Sequence, residues 1–140
     1  LSNTERPLYR RNRSIKFKKS RVRLSSRVPA GTLIEFQYGV QKEVNESGGW
    51  KNDPRPILLV FYDDQSEYIE GVNTNYLEDK FLRDFMEVLE NAPGIGKSTD
   101  GGKRLYKLMK SVDPDLLKAY RKYKRKSILA VWKMEVDLTK

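Results

Sequence analysis

"PILLVFYDDQSEYIEGVNTNYL", Pro56 to Leu77, is the stretch on which the fold of this chain turns. It opens on a continuous apolar run, Ile57 to Tyr62, which suits a central strand buried on both faces. Asp63 to Ser66 are turn formers, Tyr68 and Ile69 suit a short strand or hairpin arm, and Gly71 to Asn75 read as a second turn. A chain built round such a strand folds as a sheet.

Upstream, "GTLIEFQYGV" alternates, with Leu33, Glu35 and Gln37 on one side and Ile34, Phe36 and Tyr38 on the other. That pattern predicts a second strand with an apolar face. "VNESGGWKNDPRP" between the two is dense in turn formers and reads as a loop. Downstream, Leu77, Phe81, Leu82, Phe85, Val88 and Leu89 recur at helical spacing until Pro93 ends the pattern. "KRLYKLMKSV" predicts a short helix with Leu105, Leu108, Met109 and Val112 on one face. "DPDLLKAYRKYKRK" opens with Asp113 as a cap and Pro114 at the first helical position, which predicts a third helix carrying Tyr120 and Tyr123 on one face. "SILAVWKMEVDL" closes the chain as a strand. The class expected is α+β: a small twisted antiparallel sheet or SH3-like partial barrel with two or three helices, preceded by an extended basic arm.

Charge divides the 140 residues more sharply than composition does. Residues 1–28 carry ten Lys or Arg against one acid, residues 29–102 six against fourteen, and residues 103–140 twelve against four. The first segment has too few apolar positions to offset chain entropy, so residues 1–28 are expected as a flexible basic N-terminal arm and residues 29–140 as a single α+β domain. Such an arm can bind a polyanion, or dock on the acidic middle of its own chain or of a copy. Neither a membrane span nor the apolar core of a signal peptide is present, which points to a soluble protein of the cytoplasm.

The sequence holds no cysteine and no histidine, which removes thiolate chemistry, disulfides and the commonest metal ligand and general base. "NAPGIGKST", Asn91 to Thr99, ends like a phosphate-binding loop, but Asn91 stands where the first glycine belongs. Its neighbours predict a helix before it, not a strand, and "STDGGK" interrupts any helix after it. A helix-to-helix connection is the plainer reading. Asp63, Asp64, Glu67 and Glu70 would suit a divalent cation at a strand end, yet no Lys follows at the spacing a nuclease needs. A solvated loop or a docking surface for a basic segment accounts for them, and Asp63 and Asp64 are suited to pair with either basic end. No catalytic residue, cofactor or metal is expected.

"PILLVFYDD", "GVNTNYL" and "AYRKYKRKSI", in that order, resemble a group of small basic proteins of tailed bacteriophages that carry an apolar strand, a G-x-N-x-x-Y-L element and a late Y-R-x-Y-x-x-x-x-I segment. Gly71, Asn73, Tyr76, Leu77, Tyr120, Arg121, Tyr123 and Ile128 occupy those places, and the likeness spans residues 55–137. It implies a virion-associated or DNA-associated component. Turn chemistry alone accounts for the first element: Gly71 for a positive φ, Asn73 and Asn75 for side-chain turns, Tyr76 and Leu77 for the helix entrance.

Candidate contacts to nucleic acid or an acidic partner are Arg10, Arg11, Arg13, Lys16, Lys18, Lys19, Arg21 and Arg23 in the arm, and Lys118, Arg121, Lys122, Lys124, Arg125 and Lys126 in the later segment. Two functions follow as expectations. One is a non-catalytic virion structural or assembly protein that binds other virion proteins or packaged DNA, made in the host cytoplasm, with a possible homo-oligomer through arm exchange. The other is a sequence-independent double-stranded DNA-binding accessory protein of replication, transcription or packaging.

Overall fold

A computed structural model of the protein describes residues 15–39, 53–92 and 94–138. Among them run the strands β1 (Phe17–Val22), β2 (Leu33–Tyr38), β3 (Ile57–Asp63), β4 (Tyr68–Asn73), β5 (Tyr120–Lys124) and β6 (Ile128–Val136), with helices α1 (Asp79–Glu90) and α2 (Gly101–Val112). Three short 3-10 segments, Thr74–Tyr76, Pro114–Ala119 and Arg125–Ser127, link elements. The strands form one antiparallel sheet in the order β1-β6-β2-β3-β4-β5. The expected α+β class is therefore observed.

The run Ile57 to Phe61 is buried residue after residue because each face of the sheet carries its own apolar cluster. On one face Ile57, Leu59 and Phe61 join Leu33, Val72 and Met134 beneath Phe85 of α1 and Leu105 and Met109 of α2. On the other, Leu58 and Val60 join Ile34, Phe36, Tyr38, Ile69, Tyr123 and Val131. The described helices supply nothing to that second cluster. The sheet covers it by curling: β2 and β5 are three strand spacings apart, about 14 Å if flat, yet the Tyr38 and Tyr123 rings meet edge to face at 4.9 Å. Phe36 lies 5.1 Å from Tyr123, completing a buried aromatic trio. Irregular register between Val60 and Tyr62 and between Phe36 and Tyr38 marks where the strands bend.

Gly71 corrects one expectation. It lies inside β4 opposite Val60 and has no positive φ; a Cβ there would fall 1.9 Å from the Leu59 carbonyl oxygen. Close backbone approach at the irregular β3–β4 register, not a turn, demands glycine. The glycines of "STDGGK" correct another. Gly101 and Gly102 open α2, and a Cβ on Gly102 would strike the Tyr62 ring and the Phe61 carbonyl, so a bare backbone lets the helix start against β3.

Two larger corrections concern the basic segments. The second half of the expected arm is part of the sheet: β1 pairs with β6 from Phe17↔Val136 to Val22↔Val131, and the Ile15 amide donates to the Asp79 carboxylate at 3.0 Å. Ile15 is buried and Phe17 packs on the helix-side cluster, so these two apolar residues and the ladder hold a segment whose composition suggested disorder. Residues 1–14, with Arg10, Arg11 and Arg13, lie outside the described residues, as does Pro93. "AYRKYKRK" is not a helix. The Asp113 carboxylate caps a 3-10 turn, accepting from the Asp115 amide, and the chain then extends as β5.

Candidate partner and nucleic-acid interface

The G-x-N-x-x-Y-L and Y-R-x-Y elements of the sequence meet across one ladder. Gly71 faces Arg121 and Val72 faces Tyr120 where β4 pairs with β5. At the end of β4 the Asn73 side chain accepts from the Asn75 amide, the turn expected of it, and starts the 3-10 segment that leads into α1. Its Nδ2 donates to Asp53 at 3.0 Å and to the Tyr123 hydroxyl at 3.3 Å. Asn75 Nδ2 donates to the same Asp53 oxygen at 2.8 Å and to the Arg55 carbonyl. Asp53 is thus a buried acceptor that ties the loop before β3 to both asparagines, a residue without a motif to announce it. Arg121 lies over the Tyr76 ring at 5.2 Å, and Leu77 is buried at the helix entrance. Burial, then the Asp53 charge, pushes the Tyr123 and Tyr76 phenols above their ordinary range. Gly71, Asn73, Tyr76, Leu77, Tyr120, Arg121 and Tyr123 form one structural joint, while Ile128 lies apart on β6 opposite Tyr38.

Because residues 120–124 are a strand, Tyr120 and Tyr123 point to opposite faces. Tyr120 packs edge to face on Phe61 on the helix side, and Tyr123 fills the curled side. Burial, then the 2.7 Å hydrogen bond from its hydroxyl to Glu70, raises the Tyr120 phenol.

Some of the cations expected to reach a partner are held within the fold, and others make contacts at its surface while staying exposed. Arg125 forms a two-pronged ion pair with Asp63, Nε at 2.8 Å and Nη2 at 3.0 Å, and the Asp63 carboxylate is fully buried. Asp63 also accepts from the Val28 and Gln65 amides. Arg121 Nη1 donates to the Lys118 and Tyr120 carbonyls, and Lys118 pairs with Asp115 at 3.5 Å. Lys122 lies over the Tyr68 ring at 4.2 Å. Lys19 reaches the buried Glu35 at 3.0 Å, which Arg55 also approaches. Exposed are Lys16, Lys18, Lys19, Arg21 and Arg23 along β1 and its flanks, and Lys118, Lys122 and Lys126 in the later segment; Lys124 is half-buried. Arg21 also stacks on Trp132 at 5.2 Å. The two basic segments occupy the two edges of the strand order, β1 and β5, and the chain after β1 meets the later segment where Arg125 Nη2 donates to the Ser26 carbonyl at 3.3 Å.

The acidic cluster divides likewise. Asp63 faces Arg125, Glu70 faces Tyr120, and Asp64 accepts the Ser66, Glu67 and Tyr68 amides, which hold its carboxyl below the ordinary range. The pairing of Asp63 with a basic segment is as the sequence suggested. In the "GIGKST" connection between α1 and α2, the Lys97, Ser98 and Gly101 amides donate to the loop's own Gly94, Ile95 and Ser98 carbonyls, spending the donors a phosphate cradle would present.

No family model matches this chain, and no curated protein or solved structure shows significant similarity to it.

Proposed function

We propose that this protein is a non-catalytic structural or assembly component of a tailed-bacteriophage virion, an SH3-like partial barrel that offers a cationic edge to acidic partner subunits or packaged nucleic acid. The observation that carries this reading is the sorting of its cations. In the later basic segment Arg125 and Arg121 are bound into the fold, by Asp63 and against Tyr76, while Lys118, Lys122 and Lys126 are exposed; on and beside the edge strand β1, Lys16, Lys18, Lys19, Arg21 and Arg23 are all exposed. The barrel reading is supported by the order β6-β2-β3-β4-β5, by the 3-10 turn between β5 and β6, and by the curl that brings Tyr38 to Tyr123. The phage reading rests on the resemblance carried in the sequence by Gly71, Asn73, Tyr76, Leu77, Tyr120, Arg121, Tyr123 and Ile128. Carboxylates committed to a buried ion pair, a turn and a tyrosine favour a non-catalytic role over a nuclease.

The test is the copy number of the protein in purified particles of its phage, measured by quantitative mass spectrometry, beside binding to generic duplex DNA across a salt series. A fixed copy number per particle, with weak duplex binding at about 150 mM salt, is expected. Absence from particles, with tight duplex binding that falls steeply with salt, would instead establish the DNA-binding accessory protein, which the exposed cations of β1 also suit.

A further inference from the structure

The sheet has two edges, and the described residues cover only one of them. On β5 the Arg125 amide bonds to the Glu67 carbonyl, so alternation along the ladder turns the backbone of Arg121 and Tyr123 toward β4 and that of Tyr120, Lys122 and Lys124 outward. Those outward groups are substantially covered: the Tyr120 amide bonds to the Leu117 carbonyl, its carbonyl accepts from Arg121, and the Lys124 amide donates to the Tyr38 hydroxyl. On β1 the Asp137 amide bonds to the Lys16 carbonyl, so Lys18, Ser20 and Val22 face β6 while the amides and carbonyls of Phe17, Lys19 and Arg21 point away from the sheet. Among the described residues nothing pairs with that outer side.

β1 is also regular. Its six residues hold no proline and no glycine and pair with β6 without a register shift, so among the described residues charge is the guard this edge strand carries. That charge is selective. Two copies of β1 laid edge to edge would bring a strand of Lys and Arg against another, which like-charge pairing disfavours. An acidic strand would meet Lys19, Arg21 and Arg23 on one face and Lys16 and Lys18 on the other.

We propose that the outer edge of β1 is a strand-addition site for an extended acidic segment of a partner protein, the backbone of Phe17, Lys19 and Arg21 supplying the ladder and the flanking cations selecting the charge. This rests on the partner-binding reading above and names the mode and chemistry of that contact. Duplex DNA would use the same side chains and leave the backbone edge unpaired.

The experiment uses the full chain and a synthetic peptide alternating Glu or Asp with Val or Thr, its analogue N-methylated at every second amide, and a generic DNA duplex. Expected is salt-sensitive binding of the acidic peptide, with slowed amide exchange at Phe17, Lys19 and Arg21, and binding at least about tenfold weaker for the methylated analogue that retains every charge. Arg21→Pro removes an outward amide that β6 does not use, so it should abolish binding where Arg21→Gln only weakens it. If Arg21→Pro fails to fold, the methylated peptide on the unaltered protein still decides. Equal binding of both peptides, no binding of either, or duplex binding without protection of those amides overturns the proposal. A fixed copy number in particles would then still support the virion reading, so the two fail separately.

Discussion

Asp63 shows how one residue changes meaning between sequence and fold. In the sequence it belongs to an acidic cluster at the end of an apolar strand, while in the structure its fully buried carboxylate meets Arg125 through two nitrogens and accepts two backbone amides. Removing one partner of such a pair leaves the other charge desolvated. Asp63→Ala is therefore expected to cost roughly 3–5 kcal/mol, measured by urea denaturation. Asp64→Ala, one residue along, removes only an exposed turn cap and should move the midpoint far less. Asp53 is the opposite case: a turn residue in "KNDPRP" that accepts the Arg55 amide locally also becomes the shared acceptor of Asn73 and Asn75, 20 and 22 residues on, which no local pattern marks.

At the scale of elements, β2, β3, β6 and α1 were legible because each buries side chains with a period the sequence displays. β5 was not. Tyr120 and Tyr123 at a spacing of three look like one helical face, but a sheet with an apolar cluster on each side receives them on opposite faces. Amide exchange separates the alternatives. In β5 the Arg121 and Tyr123 amides should be protected by β4 and the Lys122 amide should exchange quickly, whereas a helix would protect all three. β1 escaped composition-based reading for a related reason. A cationic strand with few apolar residues is held by its ladder to β6, more than a hundred residues away in the chain, and by Ile15 and Phe17, the Ile15 amide reaching Asp79.

For the molecule as a whole, the curl of the sheet places Tyr123 in a buried cluster and Tyr120 against Glu70, and both phenols are raised above the ordinary value of 10.0. The unfolded chain therefore releases these protons first as pH climbs. Between neutrality and about pH 10 their contribution to stability is intact; above it the folded state retains protons that the unfolded state has lost, and stability falls. Denaturation at successive pH values should show that decline, and Tyr123→Phe should make it shallower while costing about 1 kcal/mol at neutral pH. An equal slope in the variant would mean that Tyr123 is not held protonated by the fold.

The sequence by itself determined the α+β class, the central strand and its neighbour β2, the helix at Asp79–Glu90, the closing strand, the Asn73 turn and the segregation of charge. Each is encoded in local periodicity, turn chemistry or counting. Only the tertiary structure decided that Lys16 to Arg23 contain a paired strand, that "YRKYK" extends rather than coils, that Gly71 serves close approach, and which cations remain outward. Those outcomes depend on what lies across the sheet, and a residue's partner there is chosen by burial and ladder pairing between segments that are distant in the chain.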